Sequence, residues 1–334
     1  MRSAAIALAA LLLAGCETLS YYAQAVGGHM EIMAAAQPVE RLLADPQTPP
    51  DLRRRLELTQ RIRDFASQEL KLPENGSYRS YAALARPFVV WNVVAAPAFS
   101  LEPVKSCFPV AGCVSYRGFF AREDADEHAR ELRAEGHDVY VYGVPAYSTL
   151  GRFDDPLLST FIQYPEGELA RLVFHELAHQ VAYAKDDSTF NESFAVAVER
   201  VGLRRWLAGR EADLKALAEL EARTAAFTAR LEEVRERLRA LYRTRLAPEE
   251  MRRRKAAELA QLKAELAKFP RLAAIEPDNA FLAARATYTQ LVPQFEKLLA
   301  EEGGDLARFY ARVKQLAADP SARSSPGPWS APSR

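Results

Sequence analysis

Residues 173–183 read VFHELAHQVAY, and the His-Glu-x-x-His pattern at their centre is the strongest constraint in the chain. On an α-helix, His175 and His179 share one face about 40° apart, so both imidazoles reach a single ion. Glu176 then stands beside that ion without ligating it, placed to take a proton from a water whose pKa the metal lowers. Leu172, Val173, Val181 and Ala182 supply apolar surroundings, as for a helix buried at the base of a cleft. The bland alternative is an amphipathic helix carrying two satisfied histidines. Context favours the metal, because a strand-like segment precedes the helix and a second acid-bearing helix follows.

Zinc in a catalytic site takes three protein ligands and keeps the fourth position for water. No histidine follows His179, and of the upstream ones, His29, His128 and His137, His128 sits in a charged helix. The third ligand is therefore expected to be a carboxylate from FNESFAVAVERVG. Glu192 is the first choice, and Glu199, seven residues on and on the same helical face, serves as alternative ligand or as a partner for a histidine N–H. Asn191 stands near the start of that helix, and Asp186, Asp187 and Ser188 form the preceding turn. Mixed His/Glu ligation favours one Zn2+ over other divalent ions.

The rest of the chain sorts into an α+β fold. Residues 16–86 are a helical region, with a period of 3.6 in 50–71 and a turn cluster at 73–77. Residues 87–204 form an α/β core. Strands are expected over 87–97, 113–120, 138–148 and 154–165, with a helix over 122–136 that ends near Gly136. Residues 205–268, rich in Ala, Leu, Glu, Arg and Lys and broken by LAPEE at 246–250, predict an antiparallel helical hairpin; its role is structural or that of an arm for a protein partner. Residues 269–318 return as helices to the catalytic unit, and 319–334, rich in Pro and Ser, are expected to be disordered.

The 44 basic and 44 acidic residues cancel, which leaves no footprint for nucleic acid. The opening MRSAAIALAALLLAGC has a positive start, an apolar run too short to span a bilayer, and LAGC ending in Cys16. That is the lipobox pattern: residues 1–15 are expected to be removed and Cys16 acylated, with Glu17 favouring the outer membrane over the inner. An exported chain meets an oxidising compartment, so Cys107 and Cys113 are expected to form a disulfide, with a metal pair as the alternative.

HELAH followed by NESFA resembles the gluzincin metallopeptidases, whose second motif has the form N-E-x-x-A. Over residues 10–318 the chain is similar to a bacterial family of predicted aminopeptidases described as zinc-dependent lipoproteins. The blocks that carry this include SYYAQAVGGHMEIM, VWNVVAAPAFSLEPVKSCFPVAGCVSYRGFF, AYSTLGRFDDPLLSTFIQYPEGELARLVFHELAHQ and TYTQLVPQFEKLL. The resemblance implies a zincin-like fold with a small mixed sheet, with His175, His179 and Glu192 as ligands and Glu176 as general base. The 13-position gap from His179 to Glu192 is short for a gluzincin aminopeptidase and requires a tight connection.

Gluzincins add a Tyr or His from a later helix to stabilise the oxyanion. With no later histidine, Tyr288 is the choice, with Tyr310, Tyr183 and Tyr147 as rivals. The expected strand LLSTFIQY offers backbone pairing to an extended peptide. Asn279 is a candidate substrate contact, and Asp154, Asp155 or Glu199 is the candidate for holding a free α-amine. The leading expectation is a membrane-anchored zinc aminopeptidase. Its rivals are an endopeptidase and a zinc-binding envelope quality-control protein that works through its hairpin.

Overall fold

The computed structural model describes residues 21–108, 112–270 and 272–324, so the expected signal peptide, Cys16 and residues 325–334 lie outside it. The fold is mixed α+β with small sheets. Helix α1 runs over 21–35. It is followed by β1 (Gln37–Pro38), α2 (Val39–Ala44), α3 (Pro50–Gln68), β2 (Ser80–Ala82) and β3 (Val90–Pro97). Short strands β4 (Ser106–Phe108), β5 (Gly112–Val114) and β6 (Arg117–Phe119) come next, then α4 (Arg122–Ala134), β7 (His137–Val144) and β8 (Leu157–Leu158). The remaining chain is helical: α5 (Glu166–Ala178), α6 (Ser188–Trp206), α7 (Glu211–Tyr242), α8 (Pro248–Leu266), α9 (Asn279–Thr287), α10 (Val292–Glu301), α11 (Leu306–Ala318) and α12 (Pro320–Ser324).

Strand β3 lies between β6 and β7, antiparallel to both, with Val90 opposite Val144 and Pro97 opposite His137. Its VWNVVAAP sequence is apolar on both faces because both are covered. Val93 and Ala95 pack on Ala125 and Ala129 of α4. Val94 and Ala96 pack on Ala280 and Ala284 of α9. Helix α9 reaches only that half of its face. The other half, with Val90, Asn92 and Val144, borders a cavity.

Two expectations are corrected here. The segment 154–165 is not a strand: only Leu157–Leu158 pairs, parallel to β2, and the chain then turns, with Phe161 N and Ile162 N both donating to Leu158 O. Its buried residues, Leu157, Leu158, Phe161 and Ile162, recur at the spacing of a helical turn and fill the core. The expected disorder from 319 on is also revised at its start. Helix α12 is docked through Arg323, which bonds Leu316 O and Ala317 O and pairs with Asp187 at 3.1 Å.

Helix α5 begins directly after Pro165 with Glu166 and Glu168 in its first turn, where acidic groups complement the helix dipole. Leu169, Ala170, Val173, Phe174, Leu177 and Ala178 form its buried face against α3 and α6. Helix α6 is buried through most of Ser188–Leu203, as expected of a central helix. The two helices approach closely at Gly202, where a Cβ would come within 2.7 Å of Phe174. The hairpin is antiparallel, since Arg230 pairs with Glu265 and Arg237 with Glu258.

Candidate metal centre

His175 lies in the last turn of α5 and His179 is its C-cap, so both imidazoles leave the helix on the side facing α6. Their Nε2 atoms are 3.2 Å apart. Glu192, in the first turns of α6, places Oε2 3.3 Å from Nε2 of His175 and 3.7 Å from Nε2 of His179. Among the described residues, these three form the group of His, Cys, Asp or Glu side chains that can hold a metal ion. Two nitrogens bound at about 2.0–2.1 Å to one tetrahedral zinc lie about 3.3 Å apart, so the donor set fits that ion.

The short connection between the helices is held by side chains. Asp187 caps α6 by accepting from Phe190 N. Asn191 accepts from Ala184 N at 2.7 Å and donates to Ala184 O at 2.9 Å. This closes the loop and places Glu192 one residue later.

Glu199, two turns along α6, lies on the far side of His175, with Oε2 2.9 Å from Nδ1. Its other oxygen is 3.2 Å from Arg171 Nη1. Arg171 was not anticipated from the sequence, although it stands four residues before His175, at the spacing that stacks side chains along a helix. Burial opposes the charge on Glu199, but His175 and Arg171 outweigh it and lower its pKa. Burial likewise opposes charge on Glu192, and the two histidines lower its pKa nonetheless. Burial also lowers the pKa of His179 to about 4, which keeps it neutral as a ligand must be. Glu176 is pushed up to about 7, chiefly by burial.

His175, Glu176, His179 and Glu192 line a cavity of about 590 Å³, which Glu199 and Arg171 do not reach. Tyr288, the C-cap of α9, lines it, as do Tyr183 and Tyr147. Tyr116, just after β5, also lines it and was missed, because nothing in the sequence distinguishes it from a core aromatic. Burial raises the pKa of Tyr116, Tyr183 and Tyr288, and Glu192 adds to the effect on each. All three therefore keep their protons as potential donors.

Other candidates lie elsewhere. Tyr310 is buried and donates to Leu70 O. Asn279 is fully buried, donating to Pro97 O and Ala98 O and accepting from Tyr242. Asp154 is exposed at the surface beside Gly76, and Asp155 is buried, accepting from Thr149 N. None of these four is among the cavity-lining residues. Cys107 and Cys113 form a disulfide across the β4–β5 pair, and their neighbours Phe108 and Val114 face the cavity.

Among curated proteins and among solved structures, nothing matches the chain. A family described as "Putative aminopeptidase" matches residues 20–325. That span takes in α1, the sheet, the candidate metal centre and the helical hairpin alike, and the chain belongs to this putative aminopeptidase family.

Proposed function

We propose that this protein is a zinc-dependent metallopeptidase of zincin-like type, acting as an aminopeptidase and held at the bacterial cell envelope by acylated Cys16. The observation that carries this is the convergence of His175, His179 and Glu192 at the end of a cavity that also holds Glu176, in a chain of an aminopeptidase family. His175, His179 and Glu192 would hold the ion. Bound zinc supplies Lewis-acid chemistry, polarising a carbonyl and acidifying water.

Glu176 receives the proton of the attacking water and returns it to the leaving amine. Its upward-shifted pKa suits both steps. Glu199 keeps the Nδ1 proton of His175 and thereby presents Nε2 as a lone pair. Tyr288, with Tyr116 and Tyr183 near it, donates to the developing oxyanion.

A second reading, an endopeptidase, is favoured by one observation. Among the described residues, Glu176 and Glu192 are the only Asp or Glu side chains lining the cavity, so a free α-amine finds no further carboxylate among them. Zinc content and peptidase activity of the full chain and of Glu176→Gln test the proposal. Stoichiometric zinc in both, with hydrolysis only by the parent, supports it. Loss of zinc from both, or hydrolysis by Glu176→Gln, overturns it. Peptides with free and blocked N-termini separate amino- from endopeptidase.

A further inference from the structure

The cavity does not stop at the metal centre. Its lining includes Glu176, the open half of the β3–β7 face and helix α1, which contributes Tyr21, Tyr22, Ala25 and His29. That helix is firmly seated. Gln24 donates to Gly118 O and accepts from Phe120 N, so its amide binds the backbone at β6 and just beyond it. Gly28 packs against Phe120 so closely that a Cβ would fall 2.2 Å from the ring. His29 Nδ1 is 2.6 Å from the Tyr147 hydroxyl, and Glu31 pairs with Arg86.

Apart from the metal-binding residues and Glu176, the lining is apolar or neutral, with Ala25, Phe108, Phe120, Val144, Leu150 and Leu172 prominent. Among the described residues no Lys, Arg or Asp lines it, and its two glutamates are the ligand and the base already described. Burial lowers the pKa of His29, so this histidine brings no charge at neutral pH. Away from these two glutamates, a charged side chain entering here loses its hydration and gains no counter-charge, which is costly. An uncharged side chain gains by the area it removes from water. The volume is in the range of pockets that enclose most of a small ligand.

We propose that this cavity is the specificity pocket for a bulky, uncharged side chain, aromatic or branched aliphatic, of the peptide substrate, and that α1 sets its depth. The proposal rests on the peptidase reading above, but its test reads binding rather than turnover. Tetrapeptides that differ at one position, carrying Phe, Leu, Gly, Lys or Glu at the first or second residue, are titrated calorimetrically into the zinc-loaded full chain bearing Glu176→Gln. Phe and Leu peptides are expected to bind at least tenfold more tightly than Lys and Glu peptides. Equal affinities, tighter binding of charged peptides, or no binding of Phe and Leu peptides overturns the proposal.

In the same background, Ala25→Phe is expected to weaken Phe-peptide binding at least tenfold with zinc content unchanged. Unaltered affinity overturns the role of α1. The peptide panel decides the main proposal even where Ala25→Phe fails to fold. Hydrolysis by the parent chain is scored separately: no turnover with the binding preference intact sinks the peptidase reading and leaves the pocket standing.

Discussion

Glu199 holds His175 from behind: its Oε2 lies 2.9 Å from Nδ1, while Nε2 of the same ring faces Glu192 and His179. The two carboxylates of α6 thus have different tasks, and substitution should separate them. Glu192→Ala is expected to abolish stoichiometric zinc binding. Glu199→Gln is expected to weaken zinc affinity about 10–100-fold while leaving one site per chain. Competition against a chromogenic chelator measures both. Equal losses in the two variants would mean that Glu199 is itself a ligand.

Glu176→Gln removes the proposed base and keeps the shape. The expected result is loss of kcat by about three orders of magnitude or more, with zinc retained, given the usual contribution of a positioned base and its coupling to the rest of the site. Metal analysis beside initial rates checks it.

Tyr288→Phe deletes one hydroxyl at the border between α9 and the cavity. If that hydroxyl meets the oxyanion, kcat falls about 10²–10³-fold with KM and zinc content little changed. Tyr116→Phe is the companion measurement. A larger loss there would transfer the donor role to the residue that sequence inspection passed over.

Asp155 is 2% exposed, and one of its carboxylate oxygens has no hydrogen-bond partner. Burial pushes its pKa up to about 6, although the bonds from Thr149 oppose this. A carboxyl whose pKa is raised on folding favours the folded state while it is protonated. That contribution is complete below about pH 4 and is lost as pH rises through about 6. Asp155→Asn keeps an acceptor for Thr149 N and removes the charge. It should stabilise the protein by roughly 2–3 kcal/mol above pH 7, with the difference shrinking towards zero near pH 4. Thermal melts across that range decide the matter, and a pH-independent difference would contradict it.

Asn191→Ala leaves both backbone groups of Ala184 without their partner. A destabilisation of roughly 2–4 kcal/mol is expected from two unsatisfied buried groups. Weaker zinc binding should accompany it, since Glu192 is the next residue. Denaturant titration with and without zinc measures both effects.

How far the sequence discloses this arrangement depends on whether a signal is local. The α5 helix, the pairing of Cys107 with Cys113 and the hairpin of α7 and α8 all follow from short-range patterns of spacing and composition. The segment 154–165 misleads because Leu, Phe, Ile and Tyr suit a strand as well as a buried turn, and only packing chooses between them. Asn279 looks like a free polar side chain near the second half of the site. Its hydrogen bonds go to Pro97, Ala98 and Tyr242, residues 37 or more positions away, which no local pattern discloses. The wall made by α1 is hidden for the same reason, since Ala25 and Glu176 line one cavity although they are far apart in sequence.

Helix α6 works as a ruler laid along one imidazole. Glu192 and Glu199 reach opposite nitrogens of His175 because they are seven residues, close to two whole turns, apart. One residue inserted or deleted between them would swing one carboxylate about 100° around the helix axis and take it off the ring. The connection from His179 to Ser188 is under no such rule, since it is held by side-chain bonds such as those of Asn191 and Asp187 and not by helix period. Length variation at this centre is therefore expected in the loop before α6, whereas the interval from 192 to 199 has to stay constant.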